Sequence, residues 1–313
     1  MHSPHLKSIS SFTLILFFSA TLSAQTVFTP EIPKAEPEIQ NGKYFLGLSK
    51  KELFTYGAIA HSAYTFYVEY KWWWEGNYHP FQYAWEGFEN DYSLGVDKVG
   101  HFYTSYLYFN GLKEVMQWAN FDSTTIAWTA LGIPFLYALS IEIGDGFSTY
   151  QFSPDDLISN CLGMGYGYLQ YRYSFFKNFK IKWSYYPSDK IPLDKYWILT
   201  DDYDGHLYWL SMNMHNLLPK GIDRYWPKEL NLAIGYGGKN LSGRSKSFAP
   251  PIQSDGLPLR KFVISLDYNL TELPSFSGAW DTFIEVIDNI HFPAPGVRMV
   301  EGEKTQVKAV LVN

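Results

Sequence analysis

The chain has 313 residues, enough for one large domain or two modest ones at roughly 150 residues each. Its 25 basic and 31 acidic residues leave a net charge of −6, which excludes binding to nucleic-acid phosphates through bulk charge. Charged residues at 18% and aromatic residues at 19% exclude a disordered chain and put the excess in rings suited to water–apolar boundaries.

In chain order, Lys7, the apolar run Phe12 to Phe18 and the small residues Leu22-Ser23-Ala24 predict a secretory signal peptide over residues 1–24. A retained anchor needs about 20 apolar residues, whereas Phe12 to Leu22 is shorter and interrupted by Ser19 and Thr21. The expected location is therefore export to the periplasm or association with the outer membrane. No cysteine lies near the cleavage point, so lipid attachment there is not expected. The single cysteine, Cys161, precludes an internal disulfide and reads as a buried, inert thiol on a helix.

Residues 25–44, rich in Pro and Glu, predict an extended lead-in. Helical patterning dominates residues 45–175. Ser49 and Glu52 form a capping box that opens a helix to about Tyr70, followed by Trp72, Trp73 and Trp74, which cannot all face one core. Asp97 is the expected N-cap of a second helix, Lys98 to about Trp118. The uncharged stretch Ser123 to Ile141 carries Gly132 and Pro134, which predict a kink or break. Ser153 as N-cap and Pro154 at the first helical position start another helix, whose Gly163 and Gly167 suit close helix packing.

Residues 176–313 predict a β-rich region. Lys180 to Tyr186, Glu229 to Tyr236 and Lys261 to Leu270 alternate, and Val297 to Val312 holds two more strands around Glu301-Gly302-Glu303. Gly205 to Leu218 reads as a short helix, and Gly235, Gly237 and Gly238 as a turn. The fold class is mainly α: a bundle of four to five helices followed by a smaller β-rich C-terminal part.

Helices alternating in direction gather Asp97, Lys98, His101, Glu142, Asp145, Ser153, Asp156 and Asn160 at one end of such a bundle. This cluster has two readings. In the functional one, His101, Glu142, Asp145 and Asp156 ligate a divalent metal, or His101 and a carboxyl form an acid–base pair. In the structural one, Asp97 and Ser153 cap helices, Asp156 completes a capping box, Lys98 neutralises Glu142 and Asn160 bonds between helices. Neither H-E-x-x-H nor paired E-x-x-H occurs, and no organic-cofactor motif survives: Gly163-Met164-Gly165-Tyr166-Gly167 follows no predicted strand.

The sequence Asp97-Lys98-Val99-Gly100-His101-Phe102, then Glu142 to Ser148, then Phe152 to Leu157 with Asn160 and Gly163, resembles the YfiM-like family. That family comprises periplasmic or outer-membrane-associated bacterial proteins containing a domain of unknown function. More distantly, the order D-K-x-x-H, E, D-x-x-x-N-x-x-G is similar to VanZ-like membrane proteins. The resemblance covers about residues 45–175 and implies location more than activity.

Three functions stay open on these grounds. The leading expectation is a non-enzymatic envelope module that binds lipid, the membrane surface or an envelope protein. The alternatives are a metal-assisted hydrolase of lipid or cell-wall substrates and a polytopic VanZ-like membrane protein.

Overall fold

The computed structural model describes residues 44–88, 91–189, 202–241, 256–276 and 278–312; the expected signal peptide and all but the last residue of the lead-in lie outside them. Among the described residues are six α-helices and one six-stranded antiparallel sheet, with the four long helices preceding the strands.

Helix α1 (Lys50–Glu69) opens on the expected capping box: Ser49 Oγ accepts the Glu52 N–H while the Glu52 carboxylate accepts the Ser49 N–H. It runs on into one π-helical turn, Tyr70–Trp74. There the three tryptophans diverge: Trp72 is exposed, Trp73 half-buried, and Trp74 buried with its indole N–H on Asp145.

Helix α2 (Val96–Trp118) corrects the expected cap. Gly95, in the left-handed region at φ 82°, precedes the helix, and Asp97 lies inside its first turn. The starting N–H groups are held from upstream. Asp91 accepts the Ser93 and Gly95 N–H groups, and Ser93 Oγ accepts that of Asp97. This frees the Asp97 carboxylate to face elsewhere.

Helix α3 (Ser123–Gly146), capped by Asp122, runs unbroken through Pro134, so that of the expected kink or break the break does not occur. Packing of its apolar length against α2 and α4 outweighs the missing proline N–H. Of the helices described, α3 alone is long and apolar enough to cross a membrane by length and composition. Helix α4 (Pro154–Arg172) starts at Ser153 with Pro154 in its first turn, as its sequence dictates.

Helices α2 and α4 lie very close. A Cβ on Gly163 would sit 2.0 Å from the Phe102 carbonyl oxygen, so only glycine permits the approach. Phe109, Met116, Ile126, Ala127, Ala130, Met164 and Tyr171 form the core between α2, α3 and α4. Cys161, expected inside, is exposed. Asn160 and Gly163 mark the buried face of α4, and Cys161 is rotated about 100° from Asn160.

The sheet is a meander of β1 (Phe179–Tyr185), β2 (His206–Met212), β3 (Leu230–Lys239), β4 (Leu259–Tyr268), β5 (Ala294–Val300) and β6 (Gln306–Leu311). Strand β2 replaces most of the helix expected over Gly205 to Leu218. Leu207-Tyr208-Trp209-Leu210 finds backbone partners on both sides, in β1 and β3, and only Met214–Leu217 (α5) is helical. Gly235, Gly237 and Gly238 are likewise strand, not turn: Cβ atoms on Gly235 and Gly237 would strike Trp209 and Leu207 on the neighbouring β2. Helix α6 (Gly278–Ile287) had no counterpart among the expected elements.

The sheet's patterning is inverted over much of its area. Lys182, Ser211, Asn231, Lys261, Ser265 and Asp267 are buried, whereas Ile234, Phe262, Ile264 and Tyr268 are exposed. Near β1 and β2 the sheet meets α2: Tyr103 packs on Trp183 and Tyr208, and its hydroxyl donates to the Asn289 carbonyl.

Candidate functional site

The starts of α2 and α4 and the end of α3 lie together, held in place by their caps. Lys98, with 4% of its side chain exposed, is the hub. Its ammonium lies 2.6 Å from Asp156 Oδ1, 3.0 Å from Asp97 Oδ2, 3.2 Å from Glu86 Oε2, 3.5 Å from Asp155 Oδ2 and 3.8 Å from Asp91 Oδ2. Five carboxylates thus surround one lysine. Glu142 is not among them: its Oε2 accepts the Ser153 N–H at 2.9 Å, so it, and not Asp156, closes the cap of α4 from the acid side. Ser153 Oγ accepts the Asp156 N–H and donates to Asp155 Oδ1.

His101 stands one turn along from Asp97. Its Nε2 is 3.7 Å from both Asp97 Oδ1 and Asp156 Oδ1, and the ligand atoms of these three residues all lie within 4.8 Å of one another. Glu142 and Asp145 fall outside that group, occupied by Ser153 and Trp74 respectively. Asn160 accepts the Ser105 hydroxyl across the α2–α4 contact, as a bond between helices requires.

Burial and charge set the protonation of this cluster. Burial pulls the His101 imidazole down, but Asp156, Asp97 and Glu142 more than reverse it and hold it at about 9. Burial raises Glu142 to about 8 against the opposing pull of His101. It raises Asp145 to about 7 despite the Trp74 hydrogen bond. Asp156 is raised by burial, whereas for Asp97 burial is outweighed by His101 and Lys98, which lower it. The shared charges thus favour the protonated imidazole of His101, and burial favours the neutral carboxyls of Glu142 and Asp145.

The cluster opens onto a cavity of about 560 Å³ between the helices and the sheet. Asp97, His101, Asp156 and Asn160 line one part of it, and Asp145 stands between these and Glu69. Leu107, Pro134, Ala138 and Ile141 supply apolar wall, and the rings of Trp73, Tyr103, Tyr108, Tyr137, Trp183 and Tyr208 most of the remainder. His206 joins from β2; its Nδ1 accepts the Trp183 indole N–H at 2.9 Å, and its ring lies parallel to that of Tyr208.

Several participants escape sequence reasoning. Asp91 carries a signal, an acid two residues before a serine and four before a glycine, which is an Asx-type turn. Asp155 reads only as a helix-start acid. Glu86, Tyr203, whose hydroxyl donates to Asp97 Oδ1, and Glu69 give none, because only the fold brings them near.

Residues 85–172 match a family described as predicted periplasmic lipoprotein (DUF2279), whose activity is unknown. The matched segment contains the three parts of the polar cluster from Glu86 to Asn160. No curated protein matches the chain, and no solved structure does. The chain is therefore similar, over its central helices, to a periplasmic family of unknown function, and it is an exported protein, periplasmic or membrane-associated.

Proposed function

We propose that this protein is a non-enzymatic module of the cell envelope that holds an amphipathic, lipid-class ligand between a helical bundle (residues 45–175) and a β-rich region (residues 176–313). The observation that carries the reading is the cavity itself. Its volume is in the range of ligand sites, its walls are mainly apolar and aromatic, and its polar groups converge at defined ends. The exposed Tyr56, Ile59, Tyr64, Phe66 and Tyr67 of α1, with Ile234, Phe262 and Ile264 of the sheet, support a position against the membrane surface. The YfiM-like and, more distantly, VanZ-like resemblance of the Asp97–His101, Glu142–Ser148 and Phe152–Gly163 segments belongs to this reading.

Calorimetric titration of the detergent-free protein with decanol tests it. One saturable site with a negative heat-capacity change is expected, and Ala138→Trp, which fills the cavity, should abolish it. A heat-capacity change near zero, or no saturable uptake by the wild type, would overturn the reading.

A metal-assisted hydrolase is the second reading, favoured by the Asp97–His101–Asp156 group. Against it, the Lys98 ammonium already stands beside Asp97 and Asp156, at 3.0 and 2.6 Å, where a metal ion would meet like charge. Elemental analysis decides between them: stoichiometric zinc or manganese, lost in His101→Ala, would favour the hydrolase.

A further inference from the structure

The cavity has a second polar region, beside Tyr108, which stands about 16 Å along α2 from Asp97 at 1.5 Å per residue, and within electrostatic reach of Asp145. Glu69, the last residue of α1, lines it. This helix exposes tyrosines and phenylalanines yet has a glutamate as its buried residue, at 6% exposure. One oxygen of Glu69 accepts the Tyr137 hydroxyl, while the other, Oε2, is buried with no hydrogen-bond partner. No lysine, arginine or histidine is among the groups acting on its charge; burial raises its pKa, the Tyr137 bond opposes this, and Asp145 adds a like charge within reach. Trp73 and Tyr108 complete the surroundings, with Tyr108 edge-on to Tyr137 at 5.5 Å between ring centres.

A buried carboxylate without a counter-charge is costly, and one facing a cavity among aromatic rings offers what an ammonium group needs: an anionic acceptor and ring faces. The contrast with the Lys98 cluster is informative: there Lys98 and His101 supply cations from within the protein, although the acids outnumber them. At Glu69 the protein supplies none.

We propose that the Glu69 end of the cavity is a subsite for an ammonium group, so that the amphipathic ligand of the preceding section carries an amine. This rests on the cavity binding a ligand of that class. Glu69 accepts from the ammonium through Oε2, Trp73 and the tyrosines face its sides, and the alkyl part lies along Leu107, Pro134 and Ile141.

The test compares decylamine, decanol and ethylamine on the full-length protein by calorimetry at pH 7. Decylamine should bind about tenfold or more tightly than decanol, the scale of one charge-assisted contact in a desolvated site. Glu69→Gln should bring decylamine down to the decanol affinity and leave decanol unchanged, whereas Asp97→Asn should keep the preference. Tyr137→Phe, which spares the carboxylate, should also keep it, giving a second readout should Glu69→Gln not fold. Equal binding of decylamine and decanol by the wild type, or a preference lost in Asp97→Asn and retained in Glu69→Gln, overturns the subsite while leaving the cavity reading intact. Ethylamine binding as tightly as decylamine supports the subsite but overturns the lipid-class reading. No binding of any of the three overturns both.

Discussion

Two buried lysines in this protein make an instructive pair. Lys182, on β1, has Asp267 Oδ2, Asp288 Oδ1 and the Tyr268 carbonyl each at 2.8 Å, and Lys180 adds a second cation at 2.9 Å from Asp288. Two ammonium groups meet two carboxylates, and none of the four lines the cavity. Lys98 instead faces five carboxylates within 3.8 Å, with Glu142 and Asp145 close behind and His101 between two of the acids. A balanced ion group ties strand to turn. An unbalanced one opens into a 560 Å³ cavity, the arrangement on which the proposed ligand site draws.

The largest expected effects test that distinction. Lys98→Met and Lys182→Met should each cost about 3–5 kcal/mol in urea unfolding, since each leaves buried carboxylates unpaired. They should part on a second substitution. Adding Asp267→Asn to Lys182→Met leaves Lys180 and Asp288 paired and should recover most of the loss. Adding Asp156→Asn to Lys98→Met leaves four acids around an apolar side chain and should recover little. Equal recovery in both would erase the contrast.

The next effect concerns pH. Glu142 and Asp145 hold their protons to about 8 and 7, against ordinary values of 4.5 and 3.8, and His101 holds its proton to about 9 against 6.5. In all three cases the folded chain binds more protons than the unfolded one across the interval. The contribution of His101 is complete below pH 6.5 and is lost as pH rises through 9, and the two carboxyls add a fall from about pH 4 to 8. Stability should therefore decline steadily from pH 5 to pH 9. Glu142→Gln should match the wild type at pH 5 and exceed its melting temperature at pH 9. A profile unchanged by the substitution would show that the acid end does not govern the decline.

The smallest effect is at Ser153. Ser153→Ala removes the cap on Asp156 and the bond to Asp155, and should cost about 1 kcal/mol at any pH in that range. A loss as large as that of Lys98→Met would mean that the hydroxyl shares in holding the ion cluster together.

Local rules made parts of this legible. Ser49 with Glu52, and Ser153 with Pro154, specify helix starts because the side chain that caps and the backbone it caps are neighbours. The alternation in β1, β3 and β4 was readable for the same reason. Asp97 misled because acids in a helix's first turn resemble caps, while the true support came from Asp91 and Ser93 upstream. Strand β2 was misread because its run is apolar with either period, and only β1 and β3 on its flanks decide the matter.

By itself, then, the sequence determined where α1 and α4 begin, that two glycines of α4 permit a close neighbour, and that acids and an imidazole interrupt apolar helices. Tertiary structure decided which of those charges meet. Lys98 could have served any acid within reach of its stem; the crossing of α2 and α4 at Gly163, and the placement of Glu86 and Asp91, chose its five. Glu69 shows the limit most plainly. Nothing in its neighbours along the chain distinguishes it from a surface glutamate, because burial beside Tyr108 and Tyr137 is a property of three helices meeting and is written in none of them alone.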